Sequence, residues 1–212
     1  MTRAELIRKT VIDISRRRQR AGTGSARSLL EERTTVVLWP DLREVLEDVP
    51  WAVVGAVATR LYMPERATRD LDIVIAAEHT RLAHERLASA GWKHLGQLSI
   101  GGTSWQSPAG IDVDVLEGRA GWWREAITQA QTNRDAQGLP ILPLPYLVLM
   151  KFQSGRTVDI GDITRILGQA DTNSLEATRG LFTTYEPESL EDLESLILLG
   201  QLEMRDSDEP VL

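Results

Sequence analysis

The sequence WAVVG occupies residues 51–55, and DLDIVI follows it at residues 70–75. The apolar residues of both stretches predict two short buried strands, joined by a helix over residues 57–63. Residues two apart in a strand point to the same face, so Asp70 and Asp72 project together while their neighbours enter the core. Two adjacent carboxylates repel each other, and a bound divalent cation is the usual compensation. These stretches therefore predict a strand–helix–strand unit with a metal site.

A later strand also carries aspartates between apolar residues. Residues 111–116 are IDVDVL, and this alternation places Asp112 and Asp114 on one face and the apolar side chains on the other. If this strand pairs with the one that carries Asp70 and Asp72, three carboxylates meet at one edge of a sheet. Hard cations such as Mg²⁺ prefer oxygen ligands and share them with substrate phosphates. The alternation alone leaves Asp112 and Asp114 as alternative third ligands.

Gly55 ends the first predicted strand. Because glycine has no Cβ, backbone N–H groups beside it can approach a triphosphate closely. A helix that starts after it would offer the positive end of its dipole to the same phosphates.

The remaining pattern predicts an α+β fold, in which a mixed sheet is flanked by helices and followed by a C-terminal helical part. An amphipathic helix is expected over residues 4–18, another helix beginning at Pro40, and a hairpin at Gly101-Gly102. Further helices are expected over residues 78–90, 122–132, 145–154, 157–168, 174–184 and 188–203. We predict three regions, which are a basic helix with its linker at 1–27, an α/β core at 28–135 and a helical region at 136–212.

The absence of cysteine and of long apolar runs excludes several classes of protein. The 212 residues include no cysteine, which excludes disulfides, thiolate metal sites and a cysteine nucleophile. No apolar run reaches the roughly 20 residues that span a bilayer, and no apolar segment typical of an export signal follows the N-terminus. We therefore expect a soluble, cytoplasmic protein that does not bind membranes.

The net charge of −7 is unevenly distributed along the chain. Residues 1–27 carry eight basic and two acidic side chains, whereas residues 171–212 carry two basic and eleven acidic side chains. The basic segment could bind a phosphate backbone, or it could be a solvated helix that packs on the acidic end of its own chain. We favour the second interpretation.

The order Gly55-Ala56, Asp70-Leu71-Asp72 and Asp114 resembles the polymerase-beta-like nucleotidyltransferase superfamily. Two further runs are RATRDLD at residues 66–72 and KFQSGRTVDIGD at residues 151–162. They resemble the minimal nucleotidyltransferases of bacterial abortive-infection and type IV toxin–antitoxin systems. The resemblance covers about residues 50 to 170 and implies a nucleotidyltransferase-type sheet.

The resemblance implies roles for individual residues. Asp70, Asp72 and Asp114 are the implied metal ligands, with Asp114 preferred over Asp112 because two apolar residues follow it as in the family. Lys151 and Asp159 are implied as further catalytic residues. The implied nucleotide-binding residues are Gly55, Ala56, Arg66, Thr68, Arg69 and Lys151.

The predicted function is transfer of a nucleoside monophosphate from a nucleoside triphosphate (NTP), such as ATP, to a hydroxyl acceptor, with Mg²⁺ or Mn²⁺ as cofactor. The resemblance further implies tRNA as acceptor and a toxin role opposed by a cognate antitoxin. Ala56 replaces the second glycine or serine of the family motif, so the alternative is a catalytically degenerate nucleotidyltransferase fold that binds a nucleotide or a partner. A glycosyltransferase with an Asp-x-Asp motif ranks lower, since Gly55 would then have no role.

Overall fold

The computed structural model describes residues 2–20, 38–64 and 68–204, and within these ranges it contains seven α-helices and five β-strands. The helices are α1 (Arg3–Arg18), α2 (Thr80–Ser89), α3 (Trp123–Ala130), α4 (Leu144–Ser154), α5 (Thr157–Gln169), α6 (Thr172–Tyr185) and α7 (Leu190–Met204). The strands are β1 (Trp51–Val53), β2 (Asp70–Ala76), β3 (Lys93–Gln97), β4 (Gly102–Gln106) and β5 (Asp112–Gly118). The predicted fold class is confirmed, because a mixed sheet with helices precedes a helical C-terminal part.

The chain divides into two compact units. The sheet unit contains all five strands with α2 and α3, and the helical unit contains α1 with α4 to α7. Helix α1 thus shares a unit with the last four helices, although it comes first in the sequence. The predicted division at residues 27 and 135 stays a prediction.

The sheet has the strand order β1-β2-β5-β4-β3. Strands β2 and β5 are parallel, and the other neighbouring pairs are antiparallel. In the parallel pair, Asp72 lies opposite Asp114 and Asp70 lies opposite Asp112. This is the strand pairing that the metal-site hypothesis requires. Leu71, Ile73 and Val113, which alternate with these aspartates, are fully enclosed, as the period of two predicts.

Two segments of the sheet unit that the sequence pattern predicts as helices do not form α-helices. The segment after β1 is a 3-10 helix over Val57–Leu61 rather than an α-helix to residue 63. The segment after Pro40 forms turns over residues 43–48, and Leu42 and Leu46 are buried. Pro50 disfavours helical conformation at Val49, the residue before it.

The helical unit is closely packed. Helices α5 and α7 cross where Gly168 meets Gly200, and a Cβ added to Gly200 would lie 2.7 Å from the Gly168 backbone nitrogen. Helix α1 packs on α7 through Arg8, whose Nε lies 3.3 Å from Oδ2 of Asp192. Among the described helices, none combines the length and apolar character needed to cross a membrane.

Candidate metal and nucleotide site

The three predicted metal ligands lie together. Asp70, Asp72 and Asp114 each offer one carboxylate oxygen, and these three oxygens lie within 4.8 Å of one another. The parallel pairing of β2 with β5 causes this convergence, because Asp72 and Asp114 are direct cross-strand partners. All three side chains are half-buried, so their oxygens remain accessible from one side.

Asp112 is not part of this cluster. Its side chain is exposed, and its Oδ1 accepts a hydrogen bond of 3.0 Å from Nε2 of Gln106. Of the two alternatives on β5, the described geometry therefore brings Asp114 to Asp70 and Asp72. That Asp114 binds metal stays a prediction.

Gly55 lies against the carboxylate of Asp72. Its backbone has φ +65°, and a Cβ built on it would overlap Oδ2 of Asp72 and lie 2.7 Å from Cγ of that residue. A backbone hydrogen bond also connects the two segments, because the backbone nitrogen of Val54 donates to the carbonyl of Asp72 at 2.9 Å. Glycine at this position therefore provides the space that the metal-ligand candidate occupies. The sequence suggested a phosphate-binding role for Gly55 but gave no sign of this contact.

Thr68 lies two residues before the first residue of β2 and contacts the carboxylate of Asp70 directly. Its hydroxyl donates a 2.6 Å hydrogen bond to Oδ1 of Asp70. Arg69, between them, is exposed to solvent. Arg66 lies outside the described residues. Ala56 is buried, and its carbonyl accepts a 2.7 Å hydrogen bond from the Thr59 hydroxyl.

The chemistry of the three donors fits a hard divalent cation. They supply only carboxylate oxygens, which Mg²⁺ and Mn²⁺ prefer over nitrogen or sulfur ligands. Three negative groups within 4.8 Å repel one another, and a cation would relieve that repulsion. Two-metal sites of phosphoryl-transfer enzymes hold their ions about 4 Å apart, a separation that a cluster of this size accommodates.

Lys151 and Asp159 lie together in the helical unit, in a buried group of charges. The Lys151 ammonium on α4 donates hydrogen bonds of 2.9 Å to Oδ1 of Asp159 and 2.8 Å to Oδ2 of Asp162, both on α5. The side chains of Lys151 and Asp159 are completely enclosed. Arg156 adds a second positive charge through a 2.6 Å hydrogen bond from Nε to Asp159. The side chain of Arg156 is 60% exposed, so this second charge reaches the enclosed carboxylate from the surface of the unit.

Asp159 remains ionised despite its enclosure. Burial by itself would raise the pKa of this carboxyl, but the hydrogen bond from Arg156 and the charge of Lys151 oppose burial. Together with the hydroxyl of Ser154, they hold the pKa of Asp159 below its ordinary value. The sequence pattern did not identify Asp162 as the other partner of Lys151. Its spacing of three from Asp159 was the available signal, because residues three apart share a helix face.

Neither a protein-family model nor a curated protein matches this chain. The chain is similar to the solved structure of the lincosamide antibiotic adenylyltransferase LnuA with lincomycin bound, at 19% identity over 36% of this chain and 51% of that chain, with a TM-score of 0.31. It is similar to the antibiotic-resistance factor ANT(2'')-Ia at 17% identity over 76% and 87% of the two chains, with a TM-score of 0.41. It is similar to the Cid1 poly(U) polymerase at 15% identity over 60% and 42%, with a TM-score of 0.28. The structures that it resembles in part thus include proteins named as nucleotide-transferring enzymes.

Proposed function

We propose that this protein is a metal-dependent nucleotidyltransferase that moves a nucleoside monophosphate from an NTP to a hydroxyl acceptor. The observation that carries the proposal is the convergence of Asp70, Asp72 and Asp114 within 4.8 Å on adjacent parallel strands. Every TM-score reported above lies below 0.5, so the support for this function comes from the geometry of the three carboxylates.

The reaction follows from the chemistry of the proposed ligands. Bound Mg²⁺ or Mn²⁺ would neutralise the triphosphate and lower the pKa of the attacking hydroxyl. Asp70, Asp72 and Asp114 would hold the cation through their carboxylate oxygens. The acceptor oxygen then bonds to the α-phosphorus, and the bond from that phosphorus to its bridging oxygen breaks. Pyrophosphate leaves with the bonding electrons, and the hydroxyl proton passes to solvent.

The nucleotide-binding set comprises backbone and side-chain groups near β2. Gly55 and Ala56 would offer backbone N–H groups to the triphosphate, and Arg69 would offer a solvent-exposed positive charge. Thr68 would act through Asp70, which its hydroxyl contacts. Arg66 and, away from β2, Lys151 complete the set on the basis of the sequence resemblance alone.

Lys151 and Asp159 are proposed as further active-site residues. Their support is the sequence resemblance together with a buried charge cluster and a lowered pKa of Asp159, features common at functional sites. A tRNA acceptor, a cytoplasmic toxin role and a cognate antitoxin rest on the sequence resemblance only.

A label-transfer assay tests the proposal. The purified protein is incubated with each of the four α-³²P-labelled NTPs and Mg²⁺ or Mn²⁺, against separate pools of tRNA, protein and small hydroxyl compounds. We expect transfer from at least one NTP, reduced at least about 100-fold in Asp70→Asn and in Asp114→Asn. Asp112→Asn is the matched control, because that carboxylate lies on the same strand outside the cluster, and it should retain activity.

Two results would contradict the proposal. Absence of transfer to every pool would remove the enzymatic function, and equal loss in Asp112→Asn and Asp114→Asn would remove the assigned cluster. Transfer to small molecules but not to tRNA would contradict the toxin role alone.

The second candidate function is binding of a nucleotide or partner without chemistry. It is favoured by Ala56, a buried residue that has no hydroxyl to offer a phosphate. Isothermal titration calorimetry distinguishes the two functions, because NTP binding without turnover under any condition supports the second. Transfer that is lost in Asp70→Asn supports the first.

A further inference from the structure

Helix α1 presents apolar side chains to solvent. Leu6, Ile7 and Ile14 are 51%, 43% and 50% exposed, and Val11 is half-buried. Ile7, Val11 and Ile14 follow the spacing i, i+4, i+7, so they form one stripe along the helix. We call Leu6, Ile7, Val11 and Ile14 the outer face of α1.

Polar contacts hold the helix in this orientation. The inward residues are Arg8 and Ile12, which are 7% and 2% exposed. Arg8 pairs with Asp192 and lies 3.9 Å above the ring centroid of Phe152. These contacts stabilise a buried arginine, and as a result the more apolar side of the helix faces outward.

Beside the outer face, positive charges outnumber the exposed acidic residue Asp13. Arg3, Arg17 and Arg18 are exposed and lie at the two ends of the stripe. Two copies of α1 packed antiparallel through this face would bring Arg3 of one copy near Arg17 and Arg18 of the other. Like charges at that distance repel, so the charge pattern disfavours self-association through α1.

We infer that the outer face of α1 is a docking surface for an acidic amphipathic helix of a partner protein. Such a helix supplies an apolar stripe to cover Leu6, Ile7, Val11 and Ile14, and it supplies carboxylates to pair with the arginines at both ends. This is the helix-in-groove type of recognition, in which i, i+4, i+7 anchors provide contact area and the flanking charges provide specificity.

Other ligands fit the face less well. Single-stranded RNA is bound by stacking on aromatic side chains, and the sequence of α1, RAELIRKTVIDISRRR, contains none. An anionic membrane is a broad surface and would also meet the rest of the chain, whose net charge is −7. Glu188, in the cleft beside Lys9, is exposed and would add to that repulsion.

The inference can be tested with a synthetic helix. The probe is a fluorescein-labelled 18-residue peptide with leucines at i, i+4, i+7 and i+11 and glutamates at the flanking positions, and binding to the full chain is followed by fluorescence anisotropy. We expect saturable binding that weakens at least about 10-fold in Ile7→Ser/Ile14→Ser and in Arg17→Glu/Arg18→Glu.

Matched control variants distinguish binding at the outer face of α1 from nonspecific hydrophobic or electrostatic binding of the probe. Leu198→Ser removes an apolar side chain of similar exposure on α7, and Lys9→Glu reverses a charge on another side of α1. Both variants should bind the probe as the wild type does. Circular dichroism spectra of all variants establish that the helices remain folded.

Several results would overturn the inference. These are absence of binding, equal binding of a peptide with lysine in place of glutamate, and equal loss in the control variants. Tighter association with phosphatidylglycerol vesicles or tRNA that requires Ile7 and Ile14 would assign the face to a different ligand. Dimerisation in analytical ultracentrifugation that is lost in Ile7→Ser/Ile14→Ser would assign it to a second copy.

Discussion

Gly55 is subject to two separate constraints. Its φ of +65° lies in the left-handed region, where residues with a Cβ are strained, and its missing Cβ leaves room for the carboxylate of Asp72. Gly110 shares the first constraint but not the second, since its φ is +82° and nothing lies within 4 Å of an added Cβ. Substitutions at Gly55 and Gly110 therefore distinguish the effect of backbone strain from the effect of displacing Asp72, a metal-ligand candidate.

We predict different outcomes for Gly55→Ala and Gly110→Ala. Both variants should lose about 1 kcal/mol of unfolding free energy from the strained backbone, as measured by urea denaturation. Only Gly55→Ala should lose at least about 10-fold in Mn²⁺ affinity by isothermal titration calorimetry, because its methyl group displaces Asp72. Unchanged Mn²⁺ binding in Gly55→Ala would show that the contact does not position the carboxylate.

Thr68 offers a test of how Asp70 is oriented. Thr68→Val removes the hydroxyl that donates to Asp70 but keeps the shape of the side chain, whereas Thr68→Ser keeps the hydroxyl. We expect Thr68→Val to weaken Mn²⁺ binding by about 10-fold, within the range found for outer-shell partners of metal ligands. Thr68→Ser should retain binding. Weaker binding in Thr68→Ser together with unchanged binding in Thr68→Val would assign the effect to the methyl group instead.

At the scale of elements, the crossing of α5 and α7 depends on two glycines. Gly168 and Gly200 bring the helix backbones into contact, and an added Cβ on Gly200 would lie 2.8 Å from Cα of Gly168. Gly180, in α6, has open space around its Cα. Alanine is favoured over glycine in a helix interior by about 1 kcal/mol, so the two positions should respond in opposite directions.

We therefore predict that Gly200→Ala destabilises the helical unit by about 1 to 3 kcal/mol, because the helices must separate. Gly180→Ala should stabilise the same unit by up to about 1 kcal/mol. Far-UV circular dichroism during urea denaturation measures both changes. Stabilisation by Gly200→Ala would mean that the helices accommodate a methyl group at their crossing.

The buried charges between α4 and α5 predict a dependence of stability on pH. The pKa of Asp159 is lower in the folded protein than its ordinary value, so the unfolded chain binds more protons in the window between the two values. The contribution of Asp159 to stability is therefore present above the ordinary pKa of an aspartate and is lost as the pH falls through the folded value. Urea denaturation between pH 7 and pH 3 should show a shallower decline in Asp159→Asn, measured against its own stability at pH 7. An identical decline in both proteins would contradict this prediction.

At the scale of the whole molecule, tryptophan fluorescence distinguishes unfolding of the sheet unit from unfolding of the helical unit. All six tryptophans lie in the sheet unit, so their fluorescence reports its unfolding alone. If the three clustered carboxylates bind a divalent cation, Mg²⁺ or Mn²⁺ should raise the temperature at which this fluorescence changes. Asp72→Asn should abolish the effect of metal, because one of the three clustered carboxylates is removed. A metal-induced shift of equal size in Asp72→Asn would place the binding site elsewhere.

Periodicity in the sequence was sufficient for much of the architecture. The alternation in residues 111–116 and the Asp70-Leu71-Asp72 sequence predicted two strands and the residues that share a face in each, and the structure pairs these strands as the metal-site hypothesis supposed. The last four helices begin and end within two residues of the predicted limits. Hydrophobic spacing is a local signal, and these elements follow it.

The structural features that the sequence did not predict include contacts between residues that are distant in the chain. The inward orientation of Arg8 depends on Asp192 and Phe152, which are distant in the chain. The fit of Asp72 against Gly55 depends on how two strands approach each other, and no local pattern records that distance. The 3-10 helix after β1 likewise replaces the α-helix that local spacing favoured.

The parallel pairing of β2 with β5 has a consequence for biosynthesis. Everything between these strands, including α2, β3 and β4, must emerge from the ribosome before Asp114 can reach Asp72. Closing so long a connection carries a loop-entropy cost that a hairpin avoids, so the pairing should be among the slow steps of folding. A nascent chain stopped before residue 112 would carry two of the three clustered carboxylates and lack the third.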